Sequence, residues 1–77
     1  MKFELRETNC VVEYDVTENE KENLPTYGIK VTYNDVMYEK IDNVFFTREE
    51  ALNRCDWLVE NEVAPEIFRD VMADIML

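Results

Sequence analysis

The sequence predicts an α+β fold: a three-stranded antiparallel β-meander followed by an αα-hairpin packed on one face, in the order β-β-β-α-α. Three observations carry this prediction. The first half alternates apolar and polar residues, as half-buried strands do. A capping box at Thr47 then opens a region whose apolar residues recur at helical spacing. No internal repeat or low-complexity tract interrupts the chain. Strands followed by helices, without βαβ alternation, favour helices laid on one face of an antiparallel sheet. At 77 residues the chain has the size of one domain, expected over 1–77, with a β-sheet part at 1–46 and a two-helix part at 47–77.

Residues 2–6 (Lys-Phe-Glu-Leu-Arg) alternate polar and apolar, and the pattern resumes at Cys10-Val11-Val12-Glu13-Tyr14-Asp15-Val16. Between them Thr8-Asn9 fits either a bulge in one long strand or a turn between two short ones. Thr17 to Asn23 is polar throughout and reads as a solvated loop, closed by Leu24-Pro25 at a strand entrance. Tyr27, Ile29, Val31 and Tyr33 alternate with Gly28, Lys30 and Thr32, and Asn34-Asp35 supplies a two-residue hairpin turn. That register sets Tyr33 opposite Val36, Val31 opposite Tyr38, Lys30 opposite Glu39 and Gly28 opposite Ile41.

Thr47-Arg48-Glu49-Glu50 starts a helix at Arg48 that runs to about Glu60, with Ala51, Leu52, Cys55, Leu58 and Val59 as its apolar stripe. Asn61 to Ala64 is the connector. Pro65 suits the first position of a second helix, in which Ile67, Phe68, Val71, Met72 and Ile75 form the apolar stripe. Glu66, Asp70 and Asp74 line its opposite side.

Composition narrows the function classes. Nine aromatic residues and a 47% hydrophobic fraction are enough for a packed core. Eighteen acidic residues against eight basic ones give a net charge of −10, which argues against direct nucleic-acid or anionic-membrane binding. Residues 1–46 hold 10 acids and 5 bases; residues 47–77 hold 8 and 3, so the helical part is the denser in negative charge. Cys10 and Cys55 lack C-x-x-C spacing and read as buried hydrophobes. With no apolar segment after Met1 and no long apolar run elsewhere, a cytoplasmic protein with no membrane association is expected.

Tyr27-Gly28-Ile29-Lys30-Val31, the approach from Asp42-Asn43-Val44 to Glu50, and Val63-Ala64-Pro65-Glu66-Ile67-Phe68-Arg69-Asp70-Val71-Met72-Ala73-Asp74 together resemble a family of short, uncharacterised bacterial proteins. That family pairs a Tyr-Gly-Ile strand with two helices, the second ending in an Asp-Val-Val-x-Asp-Phe-Leu-like pattern. Here the ending is Asp70-Val71-Met72-Ala73-Asp74-Ile75-Met76-Leu77. The resemblance implies the same fold and a bacterial source. It implies no activity, because the family is one of unknown function.

Histidine is absent, which removes the usual neutral-pH general base, the Ser-His and Cys-His pairs and the commonest zinc ligand. One glycine in the whole chain rules out a glycine-rich phosphate loop. The expectation is a non-enzyme without cofactor or metal. Glu66, Asp70 and Asp74 on one straight helix face would spread over about 12 Å at 1.5 Å per residue, too far apart to share an ion. Trp57 is the residue that stands out. By helical stepping it lies about 200° from the apolar stripe, on the side shared by Glu50, Asn53, Arg54 and Asn61. Trp and Arg are enriched among residues that dominate binding energy, so an exposed Trp57 beside Arg54 would mark an interface. Trp57, Arg54, Glu66, Asp70 and Asp74 are therefore the interface candidates. The sequence points to a small interaction module that binds a protein partner or itself as a homodimer. A DNA-mimicking inhibitor, whose carboxylates imitate phosphates, is the alternative.

Overall fold

The computed structural model describes residues 1–5 and 7–76, with Ile75 and Met76 described by backbone alone. Its elements are β1 (Lys2–Leu5), β2 (Cys10–Lys21), β3 (Leu24–Tyr33), β4 (Val36–Phe45), α1 (Arg48–Glu60), a 3₁₀ turn (Pro65–Ile67) and α2 (Phe68–Met76). The strands form one antiparallel sheet in the order β1-β2-β3-β4. The expected α+β class therefore holds, but with four strands where three were predicted.

The extra strand comes from the Thr8-Asn9 interruption, which is a turn and not a bulge. Asn9 takes a positive φ of 55° and its amide donates to the Leu5 carbonyl at 2.8 Å, so the chain reverses and Leu5 pairs with Cys10. Asparagine tolerates this left-handed conformation better than most residues.

The predicted loop at Thr17–Asn23 is also corrected. β2 runs through it to Lys21, paired continuously with β3 as far as Lys21 opposite Leu24, and only Glu22-Asn23 form the turn, at φ 53° and 65°. The reason lies in burial. Glu18 and Glu20 fall on the same sheet face as Val12 and Tyr14, yet they are exposed because this end of the hairpin projects beyond the helices. With exposed Glu18 and Glu20 on one face and half-buried polar Thr17 and Asn19 on the other, the segment has no apolar alternation to read.

The Asn34-Asp35 turn and the Tyr33–Val36 pair are as predicted, with both turn residues at positive φ. Beyond them the register departs. A bulge at Tyr38 sets Val31 opposite Glu39 and Lys30 opposite Lys40, not Tyr38 and Glu39. One extra residue turns Glu39 toward α2, where its carboxylate accepts from Arg69. The same bulge sets Ile29, not Gly28, opposite Ile41, and a second irregularity over Asp42–Val44 then brings Tyr27 opposite Phe45.

That second irregularity explains the lone glycine. A Cβ on Gly28 would lie 2.1 Å from the Ile41 carbonyl oxygen and 2.7 Å from the Asp42 Cα. The β4 backbone itself fills the space a side chain would need. Over the gap, Thr17 and Asn19 of β2 donate to Asp42 Oδ1 at 3.3 and 3.0 Å, and Thr26 donates to Asn43, which sits at φ 58°. Side chains from β2 thus clasp β4 across β3.

Val12, Tyr14, Ile29 and Val31 on the sheet pack with Ala51, Cys55 and Leu58 of α1 and Phe68 and Met72 of α2 in one core. α1 spans the residues the sequence assigns it, and three of its five stripe residues are fully buried while Leu52 and Val59 are half-buried. The cap differs in one detail. The Glu50 amide donates to the Thr47 hydroxyl at 3.2 Å, while the Glu50 carboxylate meets that same hydroxyl and not the Thr47 amide.

At its other end α1 closes with paired bonds, Val63 N–H to the Leu58 carbonyl and Glu62 N–H to the Val59 carbonyl, with Glu62 at φ 47°. This is the Schellman arrangement, with Val63 and Leu58 as its apolar contact. Tyr14 then donates its hydroxyl to the Val63 carbonyl at 2.6 Å and locks the helix end to the sheet.

Pro65 opens a 3₁₀ turn and the α-helix starts only at Phe68, three residues later than predicted. Of the predicted second stripe, Phe68 and Met72 are buried, Val71 is half-buried and Ile67 is 48% exposed; the Ile75 side chain lies outside the described residues. Among the described residues no helix is long and apolar enough to cross a membrane.

Candidate functional site

Because Ala51, Cys55 and Leu58 turn one side of α1 into the core, the residues on its far side are left facing outward. Trp57 is there, 42% exposed. It forms an open groove of about 360 Å³ with Phe45, Glu50, Asn53 and Arg54. The Arg54 guanidinium sits 5.0 Å from the centre of the Trp57 ring, a cation–π distance. Asn61 secures the turn below, donating from both its backbone and its side-chain amide to the Trp57 carbonyl, at 3.0 and 2.8 Å. Glu50 is held by Thr47 at the cap.

The helical stepping that singled out Trp57 thus gathers Glu50, Asn53, Arg54 and Trp57 in space. It missed Phe45, the end of β4, which lines the groove from below. The next residue, Phe46, is 83% exposed, the most exposed of the large apolar side chains in the described structure. A signal existed. Adjacent residues in extended chain point to opposite faces, so a Phe-Phe pair ending a one-sided strand places one ring outward. Val36, Met37 and Tyr38, exposed on the edge strand β4, were likewise unread because the predicted register placed Val36 and Tyr38 with the apolar partners Tyr33 and Val31.

The three remaining candidates lie apart from this groove. Glu66, Asp70 and Asp74 are all exposed, and Glu66 belongs to the 3₁₀ turn, not to α2. Glu66 instead borders a separate hollow with Leu5, Glu7, Thr8, Tyr33, Glu62 and Ala64. Among the described residues no three histidine, cysteine or acidic side chains gather as metal ligands.

The cysteines are both free. Cys55 is fully buried, and burial pushes its thiol up to about 11. Cys10 faces the core side of the sheet but lies at its rim, half-buried, against the Thr8 carbonyl at 3.5 Å. Burial also raises the Tyr14 phenol well above its ordinary value. A thiol held neutral in an apolar core is inert, which suits a packing role.

The fold and site define a class: a four-stranded antiparallel sheet carrying two helices, with an outward aromatic groove on the first of them. The chain belongs to the family described as "Family of unknown function (DUF6514)", which it matches over residues 2–77. No curated protein and no solved structure matches it.

Proposed function

We propose that this protein is a small, non-catalytic, acidic interaction module that docks a protein partner, or a second copy of itself, through Trp57 and Arg54. One observation carries the reading: a tryptophan 42% exposed on the outer side of α1, over a groove floored by Phe45 and flanked by Arg54. The exposed indole keeps apolar surface in water, and a partner that covers the ring removes that surface from solvent. Support for a non-catalytic role comes from the absence of histidine and of any phosphate-binding glycine loop in the sequence. A bacterial source and a cytoplasmic setting complete the proposal, the latter in keeping with two free cysteines.

The second reading, a DNA-mimicking inhibitor, draws on the net charge of −10 and the exposed Glu66, Asp70 and Asp74. Affinity capture from native lysate, wild type beside Trp57→Ala and washed at low and high salt, separates the two. The module predicts a stoichiometric partner that survives high salt and is lost with Trp57→Ala. A partner stripped by salt and indifferent to Trp57 would favour the mimic, because charge contacts are screened and aromatic burial is not.

A further inference from the structure

We infer that the occupant of the Trp57 groove is a protein segment carrying an apolar anchor flanked by lysines or arginines, and not a second copy of this chain. This inference rests on the interaction-module reading and adds the partner's chemistry. The argument is charge complementarity around an apolar centre.

Stepping about 100° per residue, Glu60, Glu49 and Asp56 fall about 60–100° to one side of Trp57, while Arg54 and Asn61 fall on the other. All three carboxylates are exposed, and among the described residues none of them takes part in an ion pair; the two ion pairs found are Lys40–Asp42 and Arg69–Glu39. Glu50 brings a fourth carboxylate into the groove itself. Against these α1 sets Arg48 and Arg54, and Arg54 is engaged on the Trp57 ring.

The surface is thus the exposed ring of Trp57 over a groove floored by the largely buried Phe45, with an acidic bank along one flank. A partner segment laid across it would place its anchor on the ring and its basic residues along the Glu49–Asp56–Glu60 bank. Arg54 on the opposite flank repels basic residues there and so sets the segment's orientation. A second copy fits worse. Each copy carries −10 and brings no basic bank of its own, and antiparallel packing of two α1 helices would set the acidic banks face to face within the screening length of about 8 Å at physiological salt.

The test is selection from a random peptide library displayed on phage, against wild type and, in parallel, against Trp57→Ser. Selected peptides are then titrated onto wild type, Trp57→Ser and the triple variant Glu49→Lys/Asp56→Lys/Glu60→Lys. Circular dichroism first establishes that both variants fold. All substituted positions are on the outer side of α1, so the fold is expected to stand. The expected result is enrichment of peptides with one aromatic or aliphatic residue among lysines and arginines. Their affinity should fall about thirtyfold or more in Trp57→Ser, the loss typical of an anchor residue. In the triple variant it should fall at least about tenfold.

Neutral or acidic peptides that still require Trp57 would overturn the inference while leaving the interaction groove in place. No enrichment over Trp57→Ser would overturn both. Sedimentation showing a wild-type dimer that Trp57→Ser dissociates would name the second copy as occupant and overturn the inference alone.

Discussion

Gly28 is needed for what it lacks, since the Ile41 carbonyl oxygen lies 2.1 Å from where a Cβ would stand and the contact is with backbone that cannot rotate away. Gly28→Ala must therefore part β3 from β4 and break the clasp from Thr17 and Asn19 to Asp42. We expect a loss of about 3 kcal/mol or more, as for severe overpacking. In a domain this small that lowers the melting temperature by roughly 12–24 °C, readable by thermal circular dichroism. A fall of only a few degrees would mean that β4 is not seated on Gly28. Tyr14→Phe tests a different contact, the buried hydroxyl bond to the Val63 carbonyl. Its removal leaves that carbonyl unpaired and should cost about 1–2 kcal/mol in urea denaturation, with an unchanged denaturant slope. The two cysteines should also separate by reactivity. Cys10, at the sheet rim, should be labelled by a thiol reagent in the folded protein, whereas buried Cys55 should be labelled only on unfolding.

The ends of α1 show how an element is fixed by residues of unequal fitness. Thr47 is well chosen for its start, and Thr47→Ala should cost about 1 kcal/mol through loss of the bond from the Glu50 amide. The other end places Glu62 in a left-handed conformation that glycine ordinarily fills. Glu62→Gly should consequently stabilise the protein by about 0.5–1 kcal/mol, the relief of left-handed strain less the added freedom of the unfolded chain. A destabilised variant would show that the Glu62 side chain makes a contact outweighing that strain. The same economy recurs in the hairpins, where Glu22, Asn23, Asn34 and Asp35 all adopt positive φ without a glycine among them. These turns are held by the ladders they join, and the Asn34 side chain adds a bond by accepting from the Val11 amide at 2.9 Å.

Across the whole molecule, the groups buried neutral set the behaviour at high pH. Burial lifts the Cys55 thiol from 9.0 to about 11, so in the unfolded chain the thiol ionises first. The folded state therefore keeps its full stability below pH 9 and loses it as pH rises from 9 to about 11, with a total near 2–3 kcal/mol. Tyr14, raised in the same direction, adds to the loss above pH 10. Urea midpoints should fall between pH 8 and pH 11, and Cys55→Ala should flatten the fall although that variant is itself less stable at pH 8. The molecule is also asymmetric in a functional sense. Its sheet extends as a polar hairpin arm at one end, while the exposed rings of Trp57 and Phe46 mark α1 and the junction leading into it. The unpaired edge of β4 carries exposed Val36, Met37 and Tyr38, but the bulge at Tyr38 disrupts the regular pairing that another strand would need.

How much of this could be read from residues alone follows from where each pattern is written. The capping box at Thr47, the buried stripe of Ala51, Cys55 and Leu58, the Asn34-Asp35 turn and the outward placement of Trp57 beside Arg54 are local, set by neighbours within one or two turns of chain, and they were legible. The strand from Thr17 to Lys21 was not, because its pairing partners lie across a hairpin and its side chains are polar on both faces, leaving no apolar periodicity. The bulges that turn Glu39 to Arg69 and seat β4 against Gly28 depend on how two strands settle under a helical layer, which no residue pattern within β4 encodes. By itself, then, the sequence determined the α+β class, the first helix and its outer face, since these follow from nearest-neighbour sterics and amphipathic spacing. The fourth strand, the strand register and the meeting of Phe45 with Trp57 were decided only by the tertiary structure, because each is a contact between segments that local chemistry does not bring together.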